Sequence, residues 1–167
     1  MKIFCIGIVV FSSTFALFGN GAFAAGSHVG GHGELPIGEP GKKSQVNRTV
    51  KVVMKETDDG KMLFEPSELT VQQGETIRFA IENKGETDHE FVLDDTVRME
   101  EHKKLMMEFP EMEHDDPNSV RLEPGKKGDV IWRFSNAGSF IFGCLIPGHM
   151  ESGMHGPVEV IETGVTN

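Results

Sequence analysis

The sequence predicts an all-β sandwich with one inserted helix. Three observations carry this reading: short period-two runs of apolar residues downstream of Arg48, turn residues spaced regularly between them, and one stretch, Thr96 to Glu108, that breaks the alternation. Strands bury every second side chain, so Val50, Val52 and Met54 read as one inward face, as do Leu69 and Val71. Gln73-Gly74 marks a turn, after which Ile77, Phe79 and Ile81 alternate with Arg78, Ala80 and Glu82. Val130, Trp132 and Phe134 form the next face, with Trp132 read as core. Phe140, Phe142 and Cys144 share another, and Val158 with Val160 the last. Several short strands joined by turns assemble as a sandwich or barrel.

The inserted segment is rich in Met, Glu, Lys and Leu, which are good helix formers. Asp94, Asp95 or Thr96 can cap its start, and Pro110 stops it shortly after Phe109. The spacing therefore predicts a helix over 96–108.

The first 24 residues read as a secretory signal. Lys2 is the charged start, Ile3 to Phe18 is an almost unbroken apolar run, and Ala22-Phe23-Ala24 offers small residues for cleavage. That run is shorter than the roughly 20 residues a membrane-spanning helix needs. The expectation is an exported, periplasmic protein that is not membrane-embedded. Residues 25–47, with their glycines, His28, His32, Pro36 and Pro40, read as a flexible arm, and 48–163 as the folded domain.

Removing the signal takes Cys5 with it and leaves a single thiol, Cys144. Thiols in oxidising compartments normally pair, and one thiol cannot form an internal disulfide. The formal charge of −10 makes the chain a poor partner for nucleic acid, whose phosphates attract Lys and Arg.

What occupies the thiol is suggested by its neighbours. Cys144, His149 and Met154 lie at C-x4-H-x4-M spacing on one loop. A thiolate, an imidazole and a thioether are soft donors that suit copper, whereas calcium and magnesium take oxygen ligands. Zinc seldom takes a thioether. A trigonal site needs a second imidazole, and His89 is the best candidate, because it opens the alternating face His89, Phe91, Leu93. Two strands of one sandwich can bring His89 and Cys144 inward at the same end. Met150 and His155 compete with Met154 and His149 by proximity. The predicted metal ligands are His89, Cys144, His149 and Met154, holding one copper ion.

The segment from Phe64 to Val160 resembles the plastocyanin/azurin family of cupredoxins. The matching features are Phe64-x-Pro66 ahead of Leu69-x-Val71, then Gly74-Glu75-Thr76, then Asn83-x-Gly85 before His89, and finally the Cys-His-Met loop. The helix and the Met112-Glu113-His114 stretch resemble the periplasmic copper-tolerance branch of that family. The resemblance implies a Greek-key sandwich with a type 1, or blue, copper centre. It also implies that His149 lies near the surface and passes electrons to a partner, with Leu145, Ile146, Pro147 and Met150 as candidates for an apolar ring around it. One departure stands out. Glu90 occupies the place after the first histidine where many relatives carry Asn.

Such a site has no open position for a substrate, so the chain reads as a non-enzyme. Two roles follow: copper tolerance and homeostasis combined with one-electron transfer, or dedicated electron carriage between periplasmic redox partners, such as a cytochrome or copper oxidase, with no part in tolerance. Extra His and Met residues favour the first: His28, His32, Met99, His102, Met106, Met107, Met112 and His114. On the helix, Met99, His102 and Met106 are spaced to share one face, where a second, Cu(I) site could form with Met112 and His114. The alternative is that these methionines simply pack on the sandwich.

Overall fold

In the computed structural model, residues 35–110 and 115–164 are described. The expected signal, the arm up to residue 34, and Met112 and His114 lie outside them. Among the described residues, no helix is long and apolar enough to cross a membrane.

Among the described residues, ten strands form two five-stranded sheets. β1 (Glu39–Pro40), β2 (Arg48–Glu56), β3 (Met62–Glu65), β5 (Thr76–Asn83) and β8 (Lys127–Arg133) make one, in the order β1-β8-β5-β2-β3. β4 (Leu69–Gln72), β6 (His89–Asp94), β7 (Ser119–Leu122), β9 (Gly138–Gly143) and β10 (His155–Ile161) make the other, in the order β4-β10-β9-β6-β7. The alternating residues do what their period requires. Val52, Met54, Phe64, Ile77, Phe79, Ile81, Val130, Trp132, Phe142, Val158 and Val160 are buried in one cluster between the sheets. Among the described residues the protein is a two-sheet β-sandwich with one α-helix.

That helix, α1, spans Thr96–Glu108. Asp95 caps it, its side chain accepting from the backbone N–H groups of Val97 and Arg98, as one of the three candidate caps allows. Its presence explains why β6 departs from simple alternation, with all six of its residues buried. His89, Phe91 and Leu93 face the space between the sheets. On the other face, Val92 packs with Met99 and Met106 of α1 and with Leu145, and Ile141 and Met150 border them. A strand covered on both faces reads as a continuous apolar run rather than an alternating one.

The amino-terminal boundary of the packed unit needs correction. The stretch 35–47, expected as part of a flexible arm, contributes to the sandwich. Ile37 is fully buried and accepts a hydrogen bond from the indole of Trp132, and Glu39 and Pro40 pair with Arg133 and Trp132 of β8. Glycine and proline here shape an edge strand, for which a proline lacking an N–H is well suited. Short composition-based segments cannot separate such an edge from a loose arm.

Candidate metal centre

The pairing of β6 with β9 sets the position of the site. These strands run antiparallel, with Val92 opposite Gly143 and Leu93 opposite Phe142. The start of β6 and the end of β9 therefore lie at the same end of the sheet. His89 begins the first, and Cys144 follows the second. Beneath them, Phe91 and Phe142 stack at 5.7 Å, and Phe64 meets both edge-on at 5.9 and 5.2 Å. This aromatic floor excludes water from below and fixes the two strand ends.

The loop from Cys144 to Met154 then folds back on itself. The Cys144 N–H donates to the Met154 carbonyl, the Met154 N–H to the His149 carbonyl, and the His149 N–H to the Ile146 carbonyl. Gly148 and Gly153 turn the chain with φ of 88° and 100°, values that favour glycine. The Met62 N–H donates to the Ser152 carbonyl, tying the loop to the opposite sheet.

These constraints gather three donors. One ligating atom each from His89, Cys144 and His149 lies within 4.8 Å of the others, and all three residues are buried. The two histidine Nδ1 atoms are 3.3 Å apart, and Cys144 Sγ is 3.3 Å from His149 Nδ1. Two nitrogens each about 2.0 Å from one ion, at a wide angle, stand about 3.3 Å apart, so the spacing fits a shared metal. Met154 is fully buried in the same core cluster as Cys144, whereas Met150 lies partly buried on the helix side. His155, the other competitor, is exposed at the start of β10. Met154 thus lies in the core cluster that holds Cys144, and the Met150 sulfur packs beside Gly143, where an added Cβ would meet it at 3.5 Å.

The electrostatics suit a metal that takes neutral imidazoles and a thiolate. Burial lowers the pKa of His89 below the usual histidine range, against the opposing pull of Glu56. Burial, and then the neighbouring His89, lower that of His149. Both rings therefore keep a free lone pair at neutral pH. Burial pushes the Cys144 thiol up to about 12. A bound cation reverses that preference, since a coordinating thiol is deprotonated outright. The backbone N–H of Glu90 points at the sulfur, 3.3 Å away. This donor belongs to the main chain, so the substitution of Glu for Asn at this position leaves it in place.

One expectation changes in detail. Leu145, a candidate for the surface ring, is buried against α1. Pro147 is exposed, Ile146 and Met150 are half-buried, and His149 at 9% is the most exposed of the four predicted ligands. On α1, Met99 and Met106 are each 1% exposed and pack on the sandwich, with His102 half-buried between them in sequence.

One residue at the site went unnoticed in the sequence. Glu56 ends β2, and its Oε1 lies 3.1 Å from His89 Nε2. It reaches the site because β2 runs parallel to β5, with Met54 opposite Asn83, and the chain then turns from β5 towards His89. No spacing rule signals it. The nearest hint is Asn83-x-Gly85, whose glycine is required by space: a Cβ there would stand 2.2 Å from Glu56 Oε2 and 2.7 Å from His89 Nε2.

Comparison with known proteins agrees with this geometry. A family model described as a cupredoxin-like domain matches residues 35–158. The chain is 45% identical over 137 residues to the copper-resistant cuproprotein CopI of Rubrivivax gelatinosus, covering 80% of this chain and 81% of that protein. It is 35% identical over 173 aligned positions to the copper-resistant cuproprotein CopI of Pseudomonas aeruginosa, covering 86% and 90%. Among solved structures, reduced auracyanin of Roseiflexus castenholzii shares the fold, with a TM-score of 0.58 at 19% identity over 70% of this chain and 98% of that one. From the sandwich, the buried histidine–cysteine cluster and these matches together, the chain belongs to the cupredoxin-like family.

Proposed function

We propose that this protein is a periplasmic type 1 copper protein of copper tolerance and homeostasis that also passes single electrons, with His89, Cys144, His149 and Met154 as the residues that would hold the ion. The observation that carries this reading is the convergence of two imidazole Nδ1 atoms and one thiol, all buried, at the end of a rigid sandwich. Bound copper would supply a one-electron couple. The chain's part is to hold two nitrogens, one sulfur and a weak thioether in a geometry tolerable to both oxidation states. The β6–β9 pairing and the aromatic floor restrain His89 and Cys144, so little moves when charge changes. His149, with slight exposure beside Pro147, is the group through which a partner would exchange electrons. The names of the curated relatives favour tolerance as the biological setting.

Adding Cu(II) to the purified apoprotein tests the site. The expected result is an intense visible band from thiolate-to-copper charge transfer, and its absence would refute the assignment. The role is tested separately. Copper sensitivity of a deletion strain, restored by the gene, supports tolerance. Normal copper growth combined with fast electron exchange with a periplasmic cytochrome would establish the dedicated carrier instead.

A further inference from the structure

The geometry points to Glu56 as a positioning residue for the copper centre: its carboxylate holds His89 through Nε2, leaves Nδ1 to the metal, and favours Cu(II) over Cu(I). This inference rests on the reading of His89 as a ligand. It concerns a side chain from the opposite sheet that lies outside the predicted ligand set.

Four observations support it. First, Glu56 Oε1 is 3.1 Å from His89 Nε2, while His89 Nδ1 faces His149 Nδ1 at 3.3 Å on the other side of the ring. One nitrogen thus faces a carboxylate and the other faces the donor cluster. Second, His89 is fully buried, and its Nε2 has no aligned hydrogen-bond acceptor. The carboxylate stands at ion-pair distance, 3.1 Å away. A buried imidazole nitrogen without an acceptor is costly, so a stationed anion fixes which nitrogen keeps the proton.

Third, Glu56 is itself held. It accepts from the Glu86 N–H at 2.9 Å, the Thr87 N–H at 3.1 Å and the Thr87 hydroxyl at 2.6 Å. All three are donors, so the group they hold is an acceptor. Fourth, the loop carrying these donors is pinned from its other side. Fully buried Asn83 accepts from the Gly85 N–H and donates to the Thr87 and Leu122 carbonyls, each at 2.8 Å. The hydrogen at Gly85 leaves the carboxylate room beside the ring.

A carboxylate behind a metal-bound imidazole orients the ring and raises its basicity, and losing such a partner typically costs about 10–100-fold in metal affinity. A fixed negative charge stabilises Cu(II) more than Cu(I). Glu56→Gln should therefore weaken Cu(II) binding about tenfold more than Cu(I) binding. For a one-electron couple this raises the reduction potential by about 60 mV.

The experiment uses the full chain with three readouts. In the wild-type apoprotein, long-range 15N–1H correlation should show His89 as the Nε2–H tautomer. In the copper-loaded protein, the Glu56→Gln potential should rise while the charge-transfer band persists. Thr87→Val removes one donor to the carboxylate but keeps its charge, so its potential should stay near wild type. If the wild type never develops the band, the copper-site reading itself fails. If the wild type develops it but His89 is the Nδ1–H tautomer, or Glu56→Gln leaves the potential unmoved, the Glu56 inference alone is overturned. Equal shifts in Glu56→Gln and Thr87→Val would also overturn it, since the effect would then come from loop loosening. Should Glu56→Gln fail to fold, the wild-type tautomer decides.

Discussion

Sulfur and imidazole side chains collect in two regions of this chain, and the described structure treats them differently. At the end of the sandwich, His89, Cys144 and His149 converge from two strand ends and a hydrogen-bonded loop until their donor atoms nearly touch. On α1, Met99 and Met106 lie one above the other across two turns, yet each is buried among Val92 and Leu145. Their donors point into an apolar layer that seals the outer face of β6. Soft donor atoms alone do not make a metal site. What distinguishes the first region is that separate elements offset the cost of burying polar groups by aiming them at one point, whereas thioethers can be buried at little cost as ordinary core.

The largest expected effect breaks the first region at its centre. Cys144→Ser removes the thiolate while preserving near-identical volume, so the apoprotein should fold and the visible band should vanish completely. Absorption spectroscopy with circular dichroism checks both halves. A Cys144→Ser protein that kept the band would overturn the ligand assignment.

A second effect depends on protons. The Cys144 thiol, pushed up to about 12 by burial, is protonated at neutral pH, and copper must displace that proton. Both histidines have lowered pKa values and stay neutral above the ordinary histidine value, so they release none there. The apparent Cu(II) affinity should thus rise about tenfold per pH unit between about pH 6.5 and 8, with one proton released per ion. A flat profile would mean that no thiol is deprotonated, and a slope of two would mean that a histidine is charged in the apoprotein. The sign for stability is opposite. The unfolded thiol ionises from its ordinary value of 9.0 upward and the folded one does not, so the apoprotein should lose stability as pH rises from 9 towards 12.

The axial position should respond more gently. Met154→Leu preserves packing in a fully buried place, so the band should persist. An apolar axial group disfavours Cu(II), and the potential should rise. Voltammetry checks it. If Met154→Leu were silent and Met150→Leu gave the shift, the thioether on the helix side would be the ligand, despite its packing towards α1.

Much of this contrast is legible in the sequence. The period-two faces gave the strands, because a half-covered sheet forces alternation. The run without alternation gave α1, because candidate caps at Asp94, Asp95 or Thr96 and a stop at Pro110 bracket good helix formers. The gathering of Cys144 and His149 was legible because a thiol and an imidazole at tight spacing share one loop. Three things were not. Ile37 and β1 looked like a loose arm, since a two-residue edge strand has no period to detect. Leu145 looked like surface, since the layer covering it comes from a helix distant in sequence. Glu56 carried no signal, since a carboxylate at a strand end is ordinary until the β2–β5 register and the following turn bring His89 beside it.

The smallest expected effect concerns the second region and sharpens the comparison from the other side. If Met99 and Met106 serve as packing, replacing both with leucine substitutes one apolar side chain for another of similar volume. Each change should cost less than about 1.5 kcal/mol, whereas truncation to alanine should cost about 2–5 kcal/mol through the cavity left under α1. Copper should not notice the leucine changes. Under reducing conditions the wild type and the Met99→Leu/Met106→Leu variant should bind the same number of Cu(I) equivalents, and the oxidised band should be unaltered. Chemical denaturation measures the first quantity and Cu(I) titration against a competing chelator the second. A wild type that binds more than one Cu(I), and loses the excess in this variant, would show that the helix thioethers leave their apolar layer to take metal. The comparison would then turn on a rearrangement of α1 rather than on burial. Carrying Met112 and His114 in a second variant set separates that outcome from binding by the segment just after the helix.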